Sequence, residues 1–369
     1  MTLTELLLGT VVAGIILQLA YLGFSWNRQL YLNDVARNDA SQTFKTAFDI
    51  IGPNIQQAGE GLDASFPSIL ITPYPTNPPN PNPPNLNSPT FNSEITVRRL
   101  IFSIKLPICR AVNSGAQTEI FIADNAGPAG CSVTDNNSDG WPDNLAQWKD
   151  YRTSNGGTSA TIRAFIYDGA SQGEFLNYTG ENRYDIIGNL ITSTNPANAA
   201  SLIVNGTLAN SYTAGSAAQL LLIEERKYRL GCSDSAIADA SCPSSQLQNL
   251  KLIVNNGTPV DLANKIGQFT VTATVQQDLT TTTTAQFLCW KIPAIGGIQT
   301  GTATCNNNPP TTTQAIKLTN VYVWSQIYSI NVTLKAQSVS DPTISSNTQT
   351  TINNLQETRN FLPRNILNF

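Results

Sequence analysis

One run of residues constrains this chain more than any other feature. From Leu6 to Phe24 the sequence is almost wholly apolar, polar only at Thr10, Gln18 and Tyr21. Roughly 20 such residues, wound as a helix, match the hydrocarbon thickness of a bilayer. A helix that is apolar on all sides must also be covered on all sides, by lipid or by other helices. No positively charged segment precedes the run, and a lone carboxylate, Glu5, stands at its start. An acid entering an apolar layer is costly and by default functional. The first cation in its own chain is Arg28, about 35 Å away at 1.5 Å per residue. The partner expected for Glu5 is therefore an α-amino group, most simply that of Met1 on a neighbouring subunit. The competing reading is a plain signal anchor in which Glu5 is accidental. Gly9 and Ala13, one turn apart, suit close helix packing.

Beyond Asn27 the sequence turns polar but keeps a helical beat. Leu30, Phe44, Ala47, Phe48, Ile51 and Ile55 recur mostly at three- and four-residue steps. The pattern predicts helix to about Asn54, with a kink at Gly52-Pro53 and a stop by Gly59 and Gly61. Thr72 to Thr90 is so dense in proline that helix and central strand are excluded and extended polyproline II is favoured. The remainder reads as strands. Phe269, Val271, Ala273 and Val275 alternate with threonines, and Tyr328, Ile330, Val332, Leu334 and Ala336 alternate with mainly polar residues. Each pattern puts one face on a core and one in water. Ser201–Thr207 and Leu252–Thr258 both suit a strand followed by an Asn-Gly turn.

Composition narrows the chemistry. Of 369 residues only 12% are charged, net charge is −4, and there is no histidine. Histidine-based catalysis and most zinc sites are excluded, and the net charge argues against a nucleic-acid binder, which needs a basic face. Six cysteines fall in close sequential pairs, Cys109 with Cys131, Cys232 with Cys242, and Cys289 with Cys305. An even count without a C-x-x-C motif reads as disulfides in an oxidising compartment, with free buried thiols as the alternative. Nearest-neighbour pairing is expected from short loop closure.

One local motif points to a cofactor, Ca2+. Asp135, Asn137, Asp139 and Asp143 supply oxygen side chains at loop positions one, three, five and nine, with Gly140 at six. This spacing begins a calcium loop, and the Trp141 carbonyl would add a ligand. Position twelve is Ala146, so the usual glutamate is missing and another acid, Asp150, is the candidate to close the shell. The loop is similar to those of thrombospondin type 3 and dockerin repeats. The alternative is a polar turn whose Asx side chains cap their own backbone. Glu224 and Glu225, beside Arg226, Lys227 and Arg229, read as a solvated strand rather than acid–base machinery. No catalytic motif stands out. Trp141, Trp148, Trp290 and Trp324 are expected in core packing rather than lining a sugar groove. Five N-x-S/T triplets are weak evidence for glycosylation, and Thr280 to Thr284 would suit O-glycans.

The N-terminal residues MTLTELL resemble the start of a mature type IV pilin. In that superfamily a prepilin peptidase removes a short basic leader, the first residue is hydrophobic and N-methylated, and the fifth is glutamate. Met1 and Glu5 match those positions. The resemblance implies that Glu5 neutralises the N-terminus of the adjacent subunit during assembly. Phe48 to Gly61 (FDIIGPNIQQAGEG), the strand Ile327 to Gln337 and the tail Thr358 to Asn365 resemble, more weakly, PilW-type minor pilins. Leu22 stands where many pilins have proline, with Gly14 and Gly23 nearby to permit local melting. The implied fold is α+β, a long N-terminal transmembrane and filament-core helix packed on a large β-rich head. The expected division is a stem over 1–60 (apolar 1–25, amphipathic 26–60), a Pro/Asn-rich loop or arm over 61–95, and a β-rich head over 96–369. The implied role is a non-enzymatic structural subunit, extracellular once assembled and in the inner membrane before. Its partners would be copies of itself and other pilins. A minor pilin, a J-type secretion pseudopilin, and a membrane-anchored carbohydrate-binding or adhesin domain are the alternatives.

Overall fold

The computed structural model describes residues 3–63, 66, 68–74, 92–169, 173–192, 195–234, 237, 242, 246–276, 282–285, 287–290, 315–318, 327–337 and 355–363. A single helix, α1 (Leu3–Gln56), runs for 54 residues. It passes unbroken through Gly14 and Gly23. Its one internal proline is Pro53, in the last turn. There the chain leaves the helix, and Gly59 (φ 78°) and Gly61 (φ 72°) take the left-handed backbone that glycine adopts without strain. The stop thus falls at the glycines, as their spacing predicts.

Seventeen strands and one short helix follow among the described residues. They are β1 (Ile69–Tyr74), β2 (Asn92–Leu100), β3 (Leu106–Ile108), β4 (Gly115–Asp124), α2 (Asp143–Ser154), β5 (Ile162–Tyr167), β6 (Gly173–Tyr184), β7 (Ala199–Leu208), β8 (Gly215–Leu221) and β9 (Ile223–Cys232). Then come β10 (Gln248–Val254), β11 (Val260–Ala263), β12 (Ile266–Gln276), β13 (Thr282–Ala285), β14 (Phe287–Trp290), β15 (Ala315–Leu318), β16 (Ile327–Ala336) and β17 (Gln356–Phe361). They form a seven-stranded sheet (β11-β10-β9-β2-β1-β14-β15), a four-stranded sheet (β13-β12-β16-β17) and a six-stranded sheet (β3-β8-β5-β6-β7-β4). Pairing is antiparallel except between β14 and β15. The coarse class is α+β, one long helix with a large β-rich body.

Two cores result. The first joins the docked half of α1 (Phe44, Ala47, Phe48, Ile51, Ile55) to the inner faces of the seven- and four-stranded sheets, including Tyr228, Phe269, Val271, Val332 and Leu334. From Phe44 onward the apolar beat of the stem is the stripe buried there, each large side chain worth about 1.5–3 kcal/mol; Leu30, which opens the beat, is exposed. The C-terminal strand β17 closes over it. Phe361 lies 6.2 Å from the Phe48 ring, and Gly52 leaves it room, since a Cβ there would come 2.4 Å from the ring. The second core lies between the six-stranded sheet and α2. Helix α2 is pinned by Trp148, which donates to the Ile104 carbonyl at 2.9 Å, and by the buried Arg152–Glu181 pair at 2.8 Å.

Several local expectations needed correction. Asn205-Gly206 is not a turn; it lies inside β7, paired with β4 and β6 on either side. The related segment after β10 does turn, with Asn255 (φ 51°) and Asn256 (φ 58°) left-handed. In β16 the alternation slips. Thr274 pairs with Ser329 and Val275 with Ile327, so Tyr328 is an extra residue and is 47% exposed, while Ile327 is buried. The proline-rich stretch begins inside a strand. β1 reaches Tyr74 and pairs with β2 along its length, but among the described residues it meets β14 at Ile71 alone. Pro73 therefore sits past the β14 pairing, where its missing N–H costs nothing on that side. Residues 75–91 lie outside the described residues.

Disulfides join Cys109 to Cys131 and Cys232 to Cys242, the nearest-neighbour pairs. Cys289 is on β14, while Cys305 lies outside the described residues, and with it the third pairing.

Candidate functional site

The first candidate is the free half of α1. Every residue from 7 to 24 is exposed, including Leu8 (68%), Leu17 (70%) and Phe24 (69%). Its most apolar 18-residue window has a mean hydropathy of 2.0 and no buried share. Each large aliphatic side chain left in water forgoes about 1.5–3 kcal/mol. Summed over the run, that exceeds the roughly 5–15 kcal/mol that holds a typical domain together. The surface demands a cover, and length and composition alone allow either lipid or other helices. Glu5 lies on α1 at the start of this run, its side chain outside the described atoms, and Met1 lies outside the described residues.

The second candidate is the loop before α2. Asp135 accepts from the Asp139 N–H (3.2 Å) and the Gly140 N–H (2.8 Å). Asn137 Oδ1 accepts from the same Asp139 N–H at 3.2 Å, and Asp139 Oδ1 accepts from the Trp141 N–H at 2.7 Å. Ser138 (φ 58°) and Gly140 (φ 83°) supply the left-handed turns that curl the loop. The oxygens at positions one, three and five are therefore gathered around one stretch of backbone, as a calcium loop needs. Asp143 is turned elsewhere, accepting from the Asn136 N–H at 3.1 Å and side-chain amide at 2.6 Å. Asp143 opens α2, and Asp150 follows seven residues along that helix, about 10 Å further on at 1.5 Å per residue. The donor set thus fits calcium in part, and the helix carries the proposed closing acid away from the loop. Among the described residues no three His, Cys, Asp or Glu side chains are grouped as a metal site, the third oxygen here being the Asn137 amide.

A cation already borders this loop. Arg183 donates to the Gly140 carbonyl at 2.6 Å and stacks over Trp141 at 4.3 Å, with Lys149 also over that ring at 4.1 Å. Burial lowers the Arg183 pKa, opposed by Asp139 and Asp135. Trp141 is thus covered by cations and Trp148 is core. The Trp290 side chain and Trp324 lie outside the described residues.

Glu225 overturns the reading of its strand as solvated. It is 2% exposed and pairs with the equally buried Arg98 at 2.7 Å. Arg163 from β5 reaches it at 3.4 Å and Lys227 at 3.5 Å. Burial opposes its ionisation, but Arg98, Lys227 and Arg163 outweigh that and hold its pKa at about 2. Arg163 also lies 3.3 Å over the Phe175 ring. This cluster bolts the seven-stranded sheet to the six-stranded one. It holds a carboxylate charged at neutral pH and surrounded by cations, which suits a structural joint and not an acid–base catalyst.

Sequence reasoning also missed a hydrogen-bonded turn with exposed apolar residues after β6. Ile186 (83%), Ile187 (77%) and Leu190 (55%) are exposed, on a loop whose Asp185 carboxylate accepts from the Ile187 and Asn189 N–H groups. Those donors, led by Asn189, lower the Asp185 pKa. Its only sequence signal is the apolar pair beside Gly188-Asn189. Comparison with protein-family models, with curated proteins and with solved structures gave no match to this chain.

Proposed function

We propose that this chain is the structural subunit of an extracellular filament of the type IV pilus kind, held in the inner membrane before assembly. The observation that carries the reading is the division of α1. Its C-terminal part is buried in the β-rich body and its apolar part is exposed on all sides. One exposed helix serves two covers in turn, lipid before assembly and the stems of other copies after it. The pilin-like sequence at Met1–Leu7 supports the same reading. Glu5 would then pair with the α-amino group of a neighbouring Met1. The test is Glu5→Gln in the full chain, scored as subunit recovered in sheared filaments against subunit retained in membranes. Loss of filaments with the membrane pool intact is expected. Normal filament yield would overturn the role given to Glu5.

Calcium is proposed as a structural ligand of the Asp135–Asp143 loop, supported by the convergence of Asp135, Asn137 and Asp139 on one backbone stretch. Its contribution would be to neutralise these clustered oxygens and fix the entry to α2. No other residue needs to act through it.

A further inference from the structure

A cavity of about 330 Å³ opens beside the first turn of α2. Small-molecule sites usually measure roughly 300–1,000 Å³, so there is room here for one small ring and its substituents. The floor is apolar and buried, made by Leu106 from β3, Ile122 and Ala123 from β4, and Pro142. The rim is polar and exposed, made by Ser132, Thr134, Asn136 and Asn144. Asp143, half-buried, stands between the two. Among the described residues of the lining it alone is charged, and none is aromatic.

The walls are tied to one another. The Cys109–Cys131 disulfide fastens the segment that carries Ser132 and Thr134 to the residue after β3. The Asp124 N–H donates to the Cys131 carbonyl at 2.6 Å, fastening the same segment to the end of β4. The Asp143 N–H donates to the Thr134 carbonyl at 2.8 Å, which joins it to α2. Trp148 holds α2 to the Ile104 carbonyl, two residues before Leu106. Elements locked in this way cannot close over the gap. The space is preformed, and a guest has little ordering cost to meet.

The lining selects among guests. An anion would face the Asp143 carboxylate with no lining cation to hold it. The charge of Asp143 is already met by the N-terminus of α2 and by the Asn136 N–H and side-chain amide, at 3.1 and 2.6 Å. A cationic guest is therefore not needed to balance it. A wholly apolar guest would strip water from the rim without replacing its hydrogen bonds. What fits is a neutral molecule with one apolar face and an edge of hydroxyls, which is the form of a pyranose sugar. Its C–H face would lie on Leu106, Ile122 and Pro142. Its hydroxyls would donate to Asp143 and exchange hydrogen bonds with Ser132, Thr134 and Asn144, whose side chains both donate and accept. We propose that this cavity binds one neutral hexopyranose unit, free or at the end of a glycan. The site does not depend on the filament reading, and it uses none of the tryptophans.

The test is binding to the full chain in a detergent without a sugar headgroup, with EDTA present so that no metal-held sugar contributes. The probes are the methyl glycosides of glucose, galactose, mannose and N-acetylglucosamine, with glucuronate and n-butylamine as the charged comparisons. Saturation-transfer NMR and calorimetry should find at least one neutral glycoside bound with a Kd on the order of 1 mM, as expected for a molecule so small, and neither ion bound. Ser132→Trp, an exposed change at the rim, should abolish binding. Asn144→Ala should weaken it about tenfold, the loss of one well-placed hydrogen bond. Asn113→Ala, exposed and outside the lining, should leave it unchanged. Thermal melts check that the variants are folded. No neutral glycoside bound, glucuronate or n-butylamine bound in its place, or binding unaltered by both Ser132→Trp and Asn144→Ala would overturn the proposal. The same sugars at the ends of immobilised oligosaccharides identify the source. Retention of the chain there assigns the site to a surface glycan, and binding of the soluble glycosides alone assigns it to a free sugar.

Discussion

Glu225 shows how much a single residue depends on distant partners. Its carboxylate is held by Arg98, from β2, and by Arg163, from β5. Its folded pKa of about 2 lies below the ordinary value of 4.5. The unfolded chain therefore takes up the proton first as pH falls. The stabilisation is complete above about pH 4.5 and is lost as pH drops toward 2, a change of about 3 kcal/mol from this one group. Denaturant melts of the full chain in detergent at pH 6, 4 and 2.5 should show it, and Glu225→Gln should flatten that part of the profile. Glu225→Gln should also destabilise the body at pH 7 by about 3–5 kcal/mol, because Arg98 is left buried with its charge uncompensated. Gly52 makes a second residue-scale test. A methyl group there collides with Phe361, so Gly52→Ala should cost about 1–3 kcal/mol by loosening β17 from the stem. A thermal melt unchanged by that substitution would contradict the close packing. Neither effect was legible in the sequence. The acid pair reads as solvated because Arg98 and Arg163, which bury Glu225, come from strands more than 60 residues away, and Gly52 reads as a kink because Phe361 is remote in sequence.

At the scale of elements, what could be read ahead was what local periodicity determines. The stem helix, its stop at Gly59 and Gly61, the buried face of β12 and the turn at Asn255-Asn256 all follow from spacing and backbone preference. Errors arose where pairing decided. Asn205-Gly206 stays in a strand because β4 and β6 flank it, and Tyr328 faces out because β16 carries it as an extra residue opposite β12. The loop before α2 lies between these cases. Its Asx pattern was readable, but the direction of α2, which carries Asp150 away, was not. If calcium fills the loop, calorimetry on the full chain in detergent should detect millimolar or tighter binding, Asp139→Ala should abolish it, and chelation should lower the melting temperature. Absence of any heat at millimolar calcium would leave the loop as a self-capped turn. The cysteines give a parallel test. Non-reducing peptide mapping should recover Cys109–Cys131 and Cys232–Cys242, and Cys289 joined to Cys305. A peptide joining Cys289 to any other cysteine would require a different path for the chain around β14.

For the whole molecule, the arrangement separates two duties along one helix. Residues 44–55 carry the first core, and residues 7–24 carry nothing within the chain. This division was the most legible part of the sequence, because an apolar run followed by an apolar stripe is a one-dimensional pattern. The three-sheet body was not, since its order depends on contacts such as β2 with β9 and β1 with β14 that span more than a hundred residues. The account makes α1 the element that meets lipid first and other copies afterwards. Its central claim is that copies of this chain, packed through their stems, build the filament along its whole length. Cryo-electron microscopy of filaments sheared from producing cells tests that claim most directly. A helical array is predicted in which every repeat holds this chain, with α1 in the core and the β-rich body outside. Filaments built from another protein, with this chain absent from the shaft, would contradict it.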